Sequence, residues 1–219
     1  MNNLSNDIAY LKSLTVGKDY HCGWMNDETL GLLTGLIKFY KPEIVIHTGF
    51  LWGKSSAFVL NALAELPIEE SPETSTDQTF YNFTLSNAPK RSLYRVIAID
   101  NNMFNLEVDD AASYLADSYG DFILCMGSSH DFFESNKEEL KNLPRTGSIF
   151  GIVDGDHTAE GCMKDLVDMD YVGANVLIVD DTMWLPYLDT VCRDFAEKYN
   201  YSYMNHRLHS GLGVLVKNV

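Results

Sequence analysis

The stretch 152–161, IVDGDHTAEG, decides the fold. An apolar run, 148–153, stops abruptly on two acids and a histidine within four residues: Asp154, Asp156 and His157. The run has the length and the turn-bounded ends of a short buried strand. The segment that follows, 158–167, has helical spacing, with Thr158 or Asp156 as its cap. The charged group therefore sits at the C-terminal end of a strand, just before a helix. In open α/β sheets that edge is where ligands bind.

The same alternation extends in both directions. Strands are predicted at 44–47, 95–100, 122–126, 175–180, 201–205 and 213–217, and helices at 27–39, 54–66, 106–118, 130–140 and 184–199. Five strands alternating with helices predict a largely parallel sheet covered on both faces, an α/β protein. The chain of 219 residues fits one domain, 1–219. One segment breaks the rhythm. Residues 67–93 are acidic and rich in Ser, Thr and Pro, longer than a usual connection, and read as an insertion on the strand-end edge. It is either a surface loop or a lid whose Phe80, Tyr81 and Phe83 close over a substrate.

Composition excludes several classes of partner. The formal net charge is −15, which disfavours partners held through phosphates, nucleic acid above all, and docking on anionic membranes. The opening stretch lacks the basic and apolar regions of a signal peptide, and no apolar run approaches the length of a membrane span. Cys22, Cys125, Cys162 and Cys192 form no Cys-x-x-Cys pair. A cytoplasmic, reducing setting is expected, and a homodimer is left open.

The strand ends carry the chemistry. After the first comes IHTGFLWGKSS, in which Gly49 and Gly53 stand four apart and Ser55 opens a helix. Glycines there let the backbone approach a ligand, and a helix N-terminus offers free N–H groups to an anionic group. A tight strand-to-helix turn explains them equally well. Neither Gly-x-Gly-x-x-Gly nor a full P-loop is present. The second strand ends on Asp100, placed to accept from ribose hydroxyls or to cap the next helix. The third ends in the polar turn MGSSHD, with Ser128, Ser129 and His130. The fourth delivers Asp154, Asp156 and His157, and the fifth delivers Asp180 and Asp181. Carboxylates crowded at neighbouring strand ends repel unless a hard cation such as Mg²⁺ lies between them.

Together, IVDGDHTAEGCMKDL and VLIVDDTMW resemble class I S-adenosylmethionine-dependent methyltransferases, specifically the cation-dependent O-methyltransferases of the catechol and caffeoyl-CoA type and their bacterial small-molecule branch. The resemblance runs from about 44 to 217. It implies a Rossmann-like three-layer sandwich with a mostly parallel seven-stranded sheet ordered 3-2-1-4-5-7-6. It also implies that Thr48, Gly49, Gly53 and Ser55 face the methionine part of the cofactor and that Asp100 holds the ribose. Ser128, Ser129 and His130 would border the adenine. Asp154, Asp180 and Asp181 would bind Mg²⁺ or another divalent cation. His157 stands where catechol-type relatives have a lysine base, and an imidazole suits proton transfer near neutral pH. The expected reaction is O-methylation of a small hydroxylated molecule.

Two positions depart from the family pattern. His47 replaces an acid two residues before the first glycine, removing a partner for the cofactor's ammonium. Asp181 replaces a common asparagine. Two rival readings accompany this one: a nicotinamide-dependent oxidoreductase, and a non-catalytic protein of methyltransferase-like fold that binds a nucleotide or a partner.

Overall fold

In the computed structural model, residues 4–15, 25–66, 95–102, 108–120, 122–143 and 147–218 are described here. The expected insertion at 67–93 and its aromatics lie outside them.

The elements run α1 (Leu4–Ser13), α2 (Asp27–Tyr40), β1 (Ile44–Thr48), α3 (Lys54–Ala64), β2 (Val96–Asp100), α4 (Val108–Tyr119), β3 (Phe122–Met126) and α5 (Ser129–Lys141). They continue β4 (Ile149–Val153), α6 (Ala159–Tyr171), β5 (Ala174–Asp180), α7 (Pro186–Tyr199), β6 (Tyr201–His206) and β7 (Leu212–Lys217). The seven strands form one sheet in the order β3-β2-β1-β4-β5-β7-β6, as expected. β1 through β5 pair in parallel, whereas β7 is antiparallel to both β5 and β6.

The strand sequences explain the layers. Every residue of β1 and β4 is buried, the mark of parallel strands covered on both faces. Successive side chains enter opposite cores. Val45, Val96, Ala98 and Leu124 pack with Leu33 and Ile37 of α2, Ala57 of α3 and Leu115 of α4. Ile44, Ile46, Ile97 and Ile123 pack with Phe132 of α5, Leu166 of α6 and Phe195 of α7. β6 is an edge strand with one face in solvent, and of its residues only Tyr201 is buried.

Differences from the sequence reading have local causes. α1 was not anticipated. Leu11 is buried in the core with Leu4 and Ile8 packed against it, and the buried carboxylate of Asp7 accepts hydrogen bonds from Tyr114 and Tyr119 of α4, at 2.7 and 2.6 Å. The acid on the buried face interrupts the apolar pattern. α6 runs on to Tyr171, four residues past the predicted end. α7 starts at Pro186 rather than 184, because proline's fixed φ and missing N–H suit the first turn. Among the described residues, no helix is long and apolar enough to cross a membrane.

Candidate active site

The strand order reverses between β1 and β4, so the C-terminal ends of these two strands flank a topological switch point. The chain turns sharply there. Asp154 N–H donates to Thr48 O at 3.0 Å, and Gly49 N–H donates to Ile99 O at 2.8 Å. Gly49 has φ +88°, and a Cβ on it would lie 2.0 Å from the Asp154 carbonyl oxygen. The glycine is therefore required by the contact between the two strand ends. Gly49→Ala is expected to destabilise the protein by more than the ~1–2 kcal/mol of left-handed backbone alone, since the clash is with rigid main chain. Urea denaturation checks this.

Past Gly49, Phe50 and Trp52 turn inward and are buried, Phe50 against Phe122. Gly53 at φ 74° ends the turn and starts α3. Asp100 governs this turn. Its Oδ2 accepts from the N–H groups of Phe50 and Leu51 at 2.7 and 2.8 Å, and its Oδ1 from Asn102 N–H at 2.6 Å. The cavity beside it, bounded by Phe50, Trp52, Lys54, Ser55 and Asp154, measures about 20 Å³, space for about one water.

The other strand ends are equally occupied. Ser128 caps α5 by accepting from Asp131 N–H. Ser129 donates to Asp165 at 2.6 Å, as does Thr48 at 2.8 Å. The exposed His130 ring nitrogen Nε2 lies 2.8 Å from Lys164 Nζ. His47 is wholly buried: its Nδ1 lies 3.2 Å from Ser56 Oγ, and its Nε2 has no hydrogen-bond partner among the described residues. Burial pushes its pKa down to about 4, so the ring is neutral.

The acids and the histidine of the opening stretch do meet. Oxygens of Asp154 and Asp181 and a ring nitrogen of His157 all lie within 4.8 Å of one another. His157 Nδ1 is 3.4 Å from Asp181 Oδ2, and Nε2 is 3.9 Å from Asp154 Oδ1. Asp181 adopts φ 60°, a left-handed conformation that aspartate tolerates better than most residues. Its carbonyl accepts from Leu185 N–H at 2.8 Å. Asp180, expected beside them, is not in this cluster. It is buried, and its Oδ1 accepts from Ser210 Oγ at 3.2 Å. Asp156 turns away as well, accepting from Thr158 N–H, while Thr158 caps α6.

Crowding shows in the acidities. Burial, then the charges of Asp180, Asp181 and Asp100, hold Asp154 well above the usual carboxylate range. Burial and Asp181 push Asp180 up to about 7. Burial raises Asp181, opposed by His157 and Ser210. Carboxylates with oxygens converging on one point, each resisting ionisation, are a donor set suited to a hard divalent cation.

Sequence reasoning missed three parts of this site. Asp165 carries no motif value in a helix. Ser210 and Tyr187, whose hydroxyl donates to the His157 carbonyl at 2.7 Å, reach the site from distant elements. The exposed Met183 and Trp184 follow Asp181 after the buried Thr182, and the Trp184 ring lies 4.9 Å from that of His209.

No protein-family model and no curated protein matches the chain. Solved structures do. The O-methyltransferase TomG from Streptomyces achromogenes, involved in tomaymycin synthesis and solved with S-adenosylmethionine, superposes with a TM-score of 0.65 at 14% identity, covering 100% of this chain and 92% of that one. An O-methyltransferase from Bacillus cereus, in complex with S-adenosylhomocysteine, gives 0.63 at 13% identity, covering 98% and 90%. The methyltransferase PaMTH1 of Podospora anserina, bound to S-adenosylhomocysteine, gives 0.62 at 12% identity, covering 100% and 89%. The likeness is one of fold: the Rossmann-like α/β sandwich with a mostly parallel seven-stranded sheet that these methyltransferases share. It extends over the whole chain.

Proposed function

We propose that this protein is an S-adenosylmethionine-dependent O-methyltransferase acting on a small hydroxylated molecule. The observation that carries the reading is the Asp154–Asp181–His157 cluster, set at the switch point of a sheet shared with O-methyltransferase structures. Asp154 and Asp181, with Asp180 behind them, would hold a divalent cation such as Mg²⁺. When bound, the cation supplies Lewis acidity toward a substrate hydroxyl, and S-adenosylmethionine supplies an activated methyl group.

The chain's own residues do the rest. His157 accepts the hydroxyl proton at Nε2, which stands 3.9 Å from Asp154 and outside hydrogen-bond range of it. Asp181 faces Nδ1 and holds the proton on that side of the ring. Tyr187 steadies the His157 main chain. The exposed Met183 and Trp184 offer an apolar rim beside the acids. Gly49, Gly53 and Ser55 would approach the methionine part of the cofactor, Asp100 the ribose, and Ser128, Ser129 and His130 the adenine edge. Asp100 already accepts from the main-chain N–H groups of Phe50 and Leu51, so ribose hydroxyls would share its carboxylate with that turn.

Asp100→Ala is expected to weaken cofactor binding by on the order of 1.5–3 kcal/mol, read by calorimetric titration with S-adenosylhomocysteine. An unchanged dissociation constant would assign Asp100 to shaping the empty turn alone. The function itself is tested by titrating S-adenosylmethionine and NAD, each with and without Mg²⁺. Tight binding of NAD alone would favour the oxidoreductase. His47 favours the non-catalytic reading, since a neutral ring forms no salt bridge with an ammonium group. Binding without turnover of any hydroxylated acceptor would support it. A cytoplasmic enzyme without nucleic-acid or membrane partners fits the acidic composition.

A further inference from the structure

Asp165 lies on α6, and no step above uses it. It is 2% exposed, and a buried carboxylate is costly unless its oxygens are hydrogen-bonded. Each oxygen takes one hydroxyl. Thr48 Oγ1 donates to Oδ2 at 2.8 Å, and Ser129 Oγ donates to Oδ1 at 2.6 Å. Thr48 is the last residue of β1, directly before Gly49, and Ser129 is the first of α5, directly after the turn that follows β3. A single side chain thus ties together two of the strand ends assigned above to the cofactor. An ionised carboxylate only accepts, so both hydroxyl hydrogens are committed to it. The half-buried Ser129 oxygen is left with lone pairs alone to present to a ligand.

We infer that Asp165 is a positioning residue for the cofactor pocket: it sets the spacing between the end of β1 and the start of α5 and fixes the Ser129 hydroxyl as an acceptor. The inference rests on the S-adenosylmethionine reading and adds to it a residue outside the Asp154–Asp181–His157 cluster. Burial pushes the Asp165 carboxyl up to about 6, against the two hydroxyl bonds, with Asp168 and Asp156 adding to the rise. Of the other charged groups of α5 and α6 nearby, His130 and Lys164 pair with each other at the surface. Protonation turns one Asp165 oxygen into a donor and releases one hydroxyl from its fixed role.

The test titrates S-adenosylhomocysteine into the full-length protein between pH 5 and 8, with Mn²⁺ binding measured in parallel. Wild-type affinity for S-adenosylhomocysteine is expected to rise with pH through a limb near 6. Asp165→Asn is expected to bind it about tenfold more weakly at pH 7.5 and to lose that limb, while Mn²⁺ affinity stays within about twofold. Ser129→Ala, a milder change, is expected to weaken binding severalfold and move the limb upward, since a bond that favours the ionised form is gone. Equal affinity and an unchanged pH profile in Asp165→Asn would overturn the inference. So would parallel loss of Mn²⁺ binding, which would mark a general structural role. Wild-type protein that binds no S-adenosylhomocysteine at any pH would overturn the cofactor reading itself.

Discussion

Replacing His157 by glutamine is expected to lower kcat by roughly 10²–10⁴, the usual worth of a positioned general base, while cofactor and cation binding persist. The geometry gives the reason. The imidazole is the only group in the cluster that can accept a proton without already being part of a crowded carboxylate set. Its Nδ1 faces Asp181 at 3.4 Å, which leaves Nε2 for the substrate hydroxyl. Glutamine keeps a comparable length and a hydrogen-bonding amide but takes up no proton. Activity within a factor of two of wild type would reduce His157 to a residue at a helix start.

Chelation with EDTA is expected to abolish turnover, and the same carboxylates should leave a mark on stability. Asp180 in the folded chain holds its proton to about pH 7, whereas an unfolded aspartate gives it up near 3.8. Between those values the folded state binds more protons than the unfolded state, so stability falls as pH rises. Asp154 and Asp181 are raised as well and act in the same direction. The cation-free protein should therefore melt higher at pH 5 than at pH 8. Saturating Mg²⁺ or Mn²⁺ should remove that dependence and raise the melting temperature by mass action. Asp180→Asn, which deletes a buried charge, is expected to stabilise the cation-free protein at pH 8 by on the order of 1–3 kcal/mol while weakening cation binding. Turnover that survives EDTA, or cation-free stability that rises with pH, would count against a metal site.

How much of this was legible beforehand follows from the range of the forces involved. Burial of β1 through β5 on both faces writes itself locally as apolar runs such as VIAID and IFGIV, and helices declare themselves by spacing and by caps such as Thr158. Strand ends could be located to within a residue or two for the same reason. α1 escaped because its buried face mixes Leu11 with an aspartate held by two tyrosines more than a hundred residues away, which interrupts the apolar pattern.

The sequence by itself determined the α/β class, the strand order that alternation and resemblance imply, and which acids stand at strand ends. Those are properties of neighbours along the chain. Only the tertiary structure decided which of the acids converge. Asp181, its backbone left-handed at φ 60°, joins Asp154 and His157, while Asp180, one residue earlier on the strand, is buried behind them and accepts from Ser210. Asp100 closes on the Phe50–Leu51 turn, and Asp165 gathers Thr48 and Ser129, through contacts spanning 36 to 117 residues of chain. Hydrogen bonds are short-ranged and directional, so their partners exist only once the sheet has brought the strand ends side by side.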